Sequence, residues 1–186
     1  MRKVVLNLAV SLDGFMEGPN GEYDWCLTDQ DYGMTEFFTN VDTMFIGRRS
    51  YEMIAGSEDE YFPTIQKIYV FSDTIAPVSH QKVEVIESVD FDNKVNEILN
   101  SEGGSIWLFG GASLTATMLA KRLVSGMLVS VHPLILGGGK PLFQHIQNRV
   151  DLLLEDTQTY DTGLVQLKYV LKPIFENINV LDTQAL

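Results

Sequence analysis

The residues best suited to bind a charged ligand sit at three turns. At one, the apolar run 106–109 meets Gly110-Gly111, and Ala112-Ser113 opens a helical pattern with apolar residues at 114, 116, 118, 119, 120 and 123. A glycine pair between a strand and a helix leaves bare backbone N–H groups at the positive end of the helix, with no Cβ to hold a ligand off. Those are the needs of a phosphate. At the second turn, Gly47-Arg48-Arg49-Ser50 follows a short apolar run and places two guanidinium groups and a hydroxyl at another strand end. Ser72 closes a third run, 67–71. Each turn also reads as plain architecture: a tight glycine corner, or arginines paired with surface carboxylates such as Glu52. One strand–Gly-Gly–helix turn is a weak signal. Three strand ends of this kind reinforce each other.

The elements that must position these turns follow from hydrophobic periodicity. Apolar runs predict strands over 4–10, 43–46, 67–71, 83–86 and 106–109, with a further strand after the 112–123 helix. Helical spacing predicts helices over 29–40, 91–99 and 112–123. Two final strands, 151–159 and 164–171, flank the hairpin signal Tyr160-Asp161-Thr162-Gly163. Strands alternating with helices predict an α/β fold with a mainly parallel sheet that turns antiparallel at one edge. In such sheets the carboxyl ends of the strands line one crevice. Residues 11–28 predict a long irregular segment after the first strand, of the kind that covers binding sites. Tyr23 and Trp25 within it suit stacking on a flat ligand, or packing of the loop onto the core. This reading puts both tryptophans, Trp25 and Trp107, near the cleft.

Composition narrows the function. The chain has 186 residues, 45% hydrophobic and 20% charged, enough for one sizeable core. A net charge of −12 repels nucleic acid and anionic membranes. Cys26 is the single cysteine, which suits a reducing cytosol, and His80, His132 and His145 show no metal-ligand spacing. The apolar start is ended by Asp13, too early for a signal peptide or a spanning helix. Gly137-Gly138-Gly139-Lys140 is no P-loop, because Pro141 stands where Ser or Thr is required.

The run G-G-A-S-L at 110–114, with A-K-R-L-V at 120–124 and H-P-L-I-L-G-G-G-K-P-L-F at 132–143, resembles the dihydrofolate reductase-like superfamily. The resemblance extends over about residues 3–172 and is strongest to the branch holding the reductase domain of the riboflavin-biosynthesis deaminase–reductase. Ser11-Leu12-Asp13-Gly14 and Gly47-Arg48-Arg49-Ser50-Tyr51-Glu52 match the same branch. It implies a three-layer fold, a mixed, mostly parallel eight-stranded sheet with helices on both faces and a C-terminal antiparallel hairpin. The domain would span 1–173, with 174–186 as a C-terminal extension.

The resemblance also implies NADPH as hydride donor. Arg48, Arg49 and Ser50 would meet its phosphates, Ser72 would lie near the adenosine 2′-phosphate, and Gly110, Gly111, Ala112 and Ser113 would form the pyrophosphate turn. Asp31 falls where dihydrofolate reductases place an acid. In an apolar cleft its pKa would be raised and it could pass a proton; at a solvated helix start it would do neither. Tyr23 and Trp25 would contact the substrate. Asp13 reads as structural, holding a turn through backbone N–H groups. No zinc-deaminase motif is present, and R-R-S-Y-E replaces the Thr-…-Asp-x-Pro-x-Leu segment usual in riboflavin reductases. The expectation is a cytoplasmic, homodimeric NADPH-dependent reductase of a small pterin- or pyrimidine-like heterocycle, related to 5-amino-6-(5-phosphoribosylamino)uracil reductase or dihydrofolate reductase. The alternative is a non-catalytic nucleotide- or flavin-binding module on the same fold.

Overall fold

The computed structural model describes residues 1–173. The expected extension over 174–186 lies outside the described residues. The element order is β1 (Val4–Ser11), β2 (Phe15–Glu17), α1 (Met34–Thr39), β3 (Val41–Gly47), α2 (Arg48–Glu52), α3 (Glu58–Tyr61), β4 (Lys67–Phe71), β5 (Val83–Ile86), α4 (Phe91–Asn100), β6 (Ser105–Gly110), α5 (Ala112–Ala120), β7 (Gly126–His132), β8 (Lys140–Pro141), β9 (Leu152–Thr159) and β10 (Val165–Leu171). Eight strands form one sheet in the order β5-β4-β3-β6-β1-β7-β10-β9, parallel except for β10 and β9. β2 and β8 pair as a separate antiparallel ribbon.

The sheet is covered on both faces because side chains alternate along each strand. From β3, Phe45 points to the face packed by Val95, Ile98 and Leu99 of α4 and by Leu114, Met118 and Leu119 of α5. Its neighbours Met44 and Ile46 point to the other face, with Tyr51 of α2 and with Phe37 and Phe38 of α1. Helices on both sides of a parallel sheet leave its inner strands without a wet face, which is why the sequence reads there as near-continuous apolar runs. At the antiparallel edge this cover ends. β9 is exposed along nearly its whole length and leaves Leu153 and Leu154 in solvent.

Two sequence expectations are corrected here. The helix expected over 29–40 begins only at Met34: residues before it turn, with Tyr32 and Gly33 both at positive φ, a backbone that cannot continue a helix. The segment 11–28 is not irregular throughout. Phe15–Glu17 is a strand whose partner, Lys140–Pro141, lies over 120 residues away, so no local pattern announces it. Among the described residues, no helix is long and apolar enough to cross a membrane.

The start of β1 is tied to β3 by Arg2. Its guanidinium donates to the Gly104 carbonyl at 2.7 Å and the Thr43 hydroxyl at 2.7 Å and forms an ion pair with Asp42, which also accepts the Gly104 N–H at 2.6 Å. Burial disfavours the charge on Asp42, but the Gly104 amide, the Thr43 hydroxyl and the Arg2 guanidinium outweigh it and hold its pKa below the ordinary value. A depressed folded pKa stabilises above the unfolded value and loses that contribution as pH falls through the folded one. Asp42→Asn is therefore expected to lower the melting temperature near pH 7, and the gap from wild type to close below about pH 4, where the unfolded carboxyl itself titrates. Thermal melts of both proteins from pH 7 to pH 3 check this; a gap that widens on acidification would rule it out.

Candidate functional site

β4, β3 and β6 are neighbours in the sheet, so their carboxyl ends lie side by side. The three turns singled out in sequence are the continuations of these strands. They converge on a cleft of about 680 Å³ lined by Arg48, Arg49, Ser50, Ser72, Gly111, Ala112 and Ser113. Gly110 stands just behind the lining. Its φ is 118°, a backbone open to glycine and rarely to other residues. The Ser50 hydroxyl lies 3.4 Å from where a Cβ on Gly111 would stand, so the two turns meet at that glycine.

α5 starts at Ala112 with no side-chain cap, so its first N–H groups have no capping partner, and Ala112 and Ser113, which carry two of them, line the cleft. The Ser72 hydroxyl accepts the N–H groups of Thr74 at 3.1 Å and Ile75 at 3.0 Å, which leaves its own proton to donate. Arg48 is paired with Glu52 at 2.8 Å; Arg49 has no carboxylate partner among the described residues. The donor set is cations, hydroxyls and amides, which suits phosphate groups.

Sequence reasoning missed Lys121, Lys140 and His145, which line the same cleft. Lys121 stood in the sequence only within the run A-K-R-L-V at 120–124. Lys140 follows a turn that Asp13 ties down. The Asp13 carboxylate accepts the N–H groups of Leu136 at 3.1 Å and Gly137 at 2.8 Å, and Leu142 N–H donates to the Gly14 carbonyl at 3.0 Å. The expected structural use of Asp13 is what the geometry contains.

The substrate-side expectations fare differently. Asp31 does not lie in an apolar cleft. It is exposed, and it accepts the Thr35 hydroxyl at 2.6 Å and the Thr35 N–H at 2.9 Å at the entrance to α1. Those bonds hold its pKa below, not above, the ordinary carboxylate value. Ionised at neutral pH, it has no proton to give. Asp31→Asn is accordingly expected to leave turnover unchanged at pH 7; a steady-state assay showing a large loss in kcat would restore the acid.

Tyr23 is exposed, and neither Trp25 nor Trp107 is among the residues that line the 680 Å³ cleft. Trp107 is buried among Phe37, Phe38, Phe62 and Phe109 and donates its indole N–H to the Asn7 carbonyl at 3.0 Å. Trp25 packs edge-on against His132, with ring centroids 5.2 Å apart. His132 is buried at the end of β7. Its Nδ1 bonds the Ser130 carbonyl at 3.1 Å, its Nε2 has no partner among the described residues, and burial lowers its pKa. Nearby, the buried Gln166 amide donates to Ser130 Oγ and to the Tyr32 carbonyl, each at 3.2 Å. No local motif marks these groups; β7 and β10 bring them together.

Among known proteins, residues 62–166 match the family model described as the RibD C-terminal domain. The chain is 39% identical over 179 residues to the uncharacterized protein YyaP of Bacillus subtilis (strain 168), covering 90% of this chain and 94% of that protein. In fold it is similar to the diaminohydroxyphosphoribosylaminopyrimidine deaminase/5-amino-6-(5-phosphoribosylamino)uracil reductase of Thermotoga maritima, with a TM-score of 0.71 at 12% identity over 92% of this chain and 57% of that one. It is also similar to the dihydrofolate reductase of Enterococcus faecalis complexed with NADP(H), with a TM-score of 0.66 at 14% identity over 92% of this chain and 97% of that one. At such identities the two structures speak for the fold alone.

Proposed function

The chain belongs to the RibD C-terminal domain family, and from that premise we propose that it is an NADPH-dependent reductase of a small pterin- or pyrimidine-like heterocycle. The observation that carries this reading is the meeting of Arg48, Arg49, Ser50, Ser72, Gly111, Ala112 and Ser113 around one cleft. NADPH would supply the hydride. Gly111, Ala112 and Ser113 would receive its pyrophosphate at the start of α5, where N–H groups and the helix dipole favour negative charge. Arg48, Arg49 and Ser50 would meet its phosphates from the β3 side. Ser72 would donate a hydrogen bond near the 2′-phosphate, and a guanidinium fits that group bidentately. Membership of the RibD C-terminal domain family supports the class of substrate, and a fold shared with a dihydrofolate reductase complexed with NADP(H) suggests the cofactor.

Calorimetric titration with NADPH and NADH is the direct test, and it needs no tryptophan near the site. Tight NADPH binding with weak NADH binding is expected; equal affinity for the two would remove the 2′-phosphate assignment. A second reading, a nucleotide- or flavin-binding module without turnover, is favoured by Asp31, whose ionised state removes the acid expected from sequence to pass the proton that accompanies a hydride. NADPH consumption in a screen of oxidised pterins and aminopyrimidines separates the two. We further propose a homodimer, since the free edge of β9 carries exposed Leu153 and Leu154 and an uncovered edge strand is a template for pairing. Sedimentation at micromolar concentration is expected to give the dimer mass; monomer alone would overturn it.

A further inference from the structure

Most cations around the cleft are already spoken for. Arg48 pairs with Glu52, Lys121 with Asp92 at 2.7 Å and Lys140 with Glu17 at 2.7 Å. The third pair differs from the others in placement. It joins the two strands of the β2–β8 ribbon, and its side chains are only 31% and 25% exposed. The Lys140 ammonium also stands 3.9 Å from where a Cβ on Gly111 would be, beside the glycine turn that opens α5. The ribbon backbone is held close: a Cβ on Gly139 would lie 2.1 Å from the Glu17 carbonyl oxygen. Lys140 thus arrives at the turn on a fixed backbone, and its flexible stem is what can move.

We propose that Lys140 is a diphosphate ligand of the cleft and that Glu17 is its resting partner, so that a diphosphate at Gly111 competes with Glu17 for one ammonium. This inference rests on the reading of the cleft as a nucleotide site. Two anions next to one cation repel each other, so Glu17 opposes binding while Lys140 favours it. Because Glu17 belongs to β2, the exchange also links occupation of the cleft to the segment that leads on to Trp25.

The test is a calorimetric titration of wild type, Lys140→Met, Lys140→Arg and Glu17→Gln with NADPH and, separately, with ADP, which carries a diphosphate but no nicotinamide. Lys140→Met is expected to weaken both ligands about tenfold, the loss of one charge-assisted hydrogen bond, and Lys140→Arg to retain them. Glu17→Gln is expected to bind both more tightly than wild type, a gain that simple damage to the ribbon would not produce. Unchanged affinity in Lys140→Met, or unchanged or weaker affinity in Glu17→Gln, overturns the proposal even where NADPH binds wild type well. If Lys140→Met does not fold, the sign of the Glu17→Gln change decides. Wild type that binds ADP in a Lys140-dependent way but neither NADPH nor NADH would sink the reductase reading and keep the diphosphate ligand. No binding of ADP or NADPH overturns both.

Discussion

Phe45→Ala is expected to destabilise the protein by about 3–5 kcal/mol, the usual cost of deleting a fully buried phenyl ring. Phe45 has no exposed surface and packs edge-on against Tyr69 and Phe71 at ring-centroid distances of 5.8 and 5.1 Å. It is a central-strand residue in the core between the sheet and α4 and α5, so little of the cavity can collapse. For a domain of this size the loss corresponds to a fall of roughly 6–20 °C in melting temperature. A thermal melt shifted by no more than a degree or two would mean that the β3–β4 face is loosely packed. The site would be affected as well, since Gly47 and the arginine turn begin two residues beyond Phe45 on the same strand.

Arg49→Ala is expected to weaken NADPH binding far more than Arg48→Ala does. A hydrogen bond to a charged group is worth about 1.5–3 kcal/mol, or roughly 10- to 150-fold in affinity. Arg49 has that full amount to lose, because no carboxylate among the described residues engages it. Arg48 must first leave Glu52, one helical turn away, so its net contribution is smaller. If Arg49 meets the 2′-phosphate, NADH affinity stays constant in Arg49→Ala; if it meets the pyrophosphate, NADH affinity falls in parallel. Titration of both variants with both nucleotides gives the answer. Equal losses for the two arginines would show that the Glu52 pair does not restrain Arg48.

The parts of the fold legible in the sequence were those dictated by local periodicity. β4 and β5 fall where their apolar runs predict, and α4 extends its predicted span by one residue. The hairpin of β9 and β10 follows from Gly163 at positive φ between two strand patterns. α5 was over-extended to 123 because apolar spacing continues past Ala120, while the chain turns at Arg122 with φ 55°. α1 was over-extended at its other end, because Tyr32 and Gly33 take a left-handed backbone that composition does not reveal for a tyrosine.

The cleft with its phosphate-suited turns was readable because glycines, arginines and strand ends are local features, and parallel topology then brings them to one edge. The substrate side was not. Whether an acid is a proton donor depends on what surrounds it, and Asp31 turned out to be bonded to Thr35 in solvent. By itself, the sequence determined the α/β alternation, the antiparallel edge and the three phosphate-suited turns, because each depends on residues within a few positions of one another. Only the tertiary structure decided that Lys140 stands beside Gly111 with Glu17 on its ammonium, that Trp25 covers His132, and that Gln166 meets Ser130. Those contacts join residues 29 to 123 positions apart in the chain. Their energies depend on distances that a linear pattern does not contain.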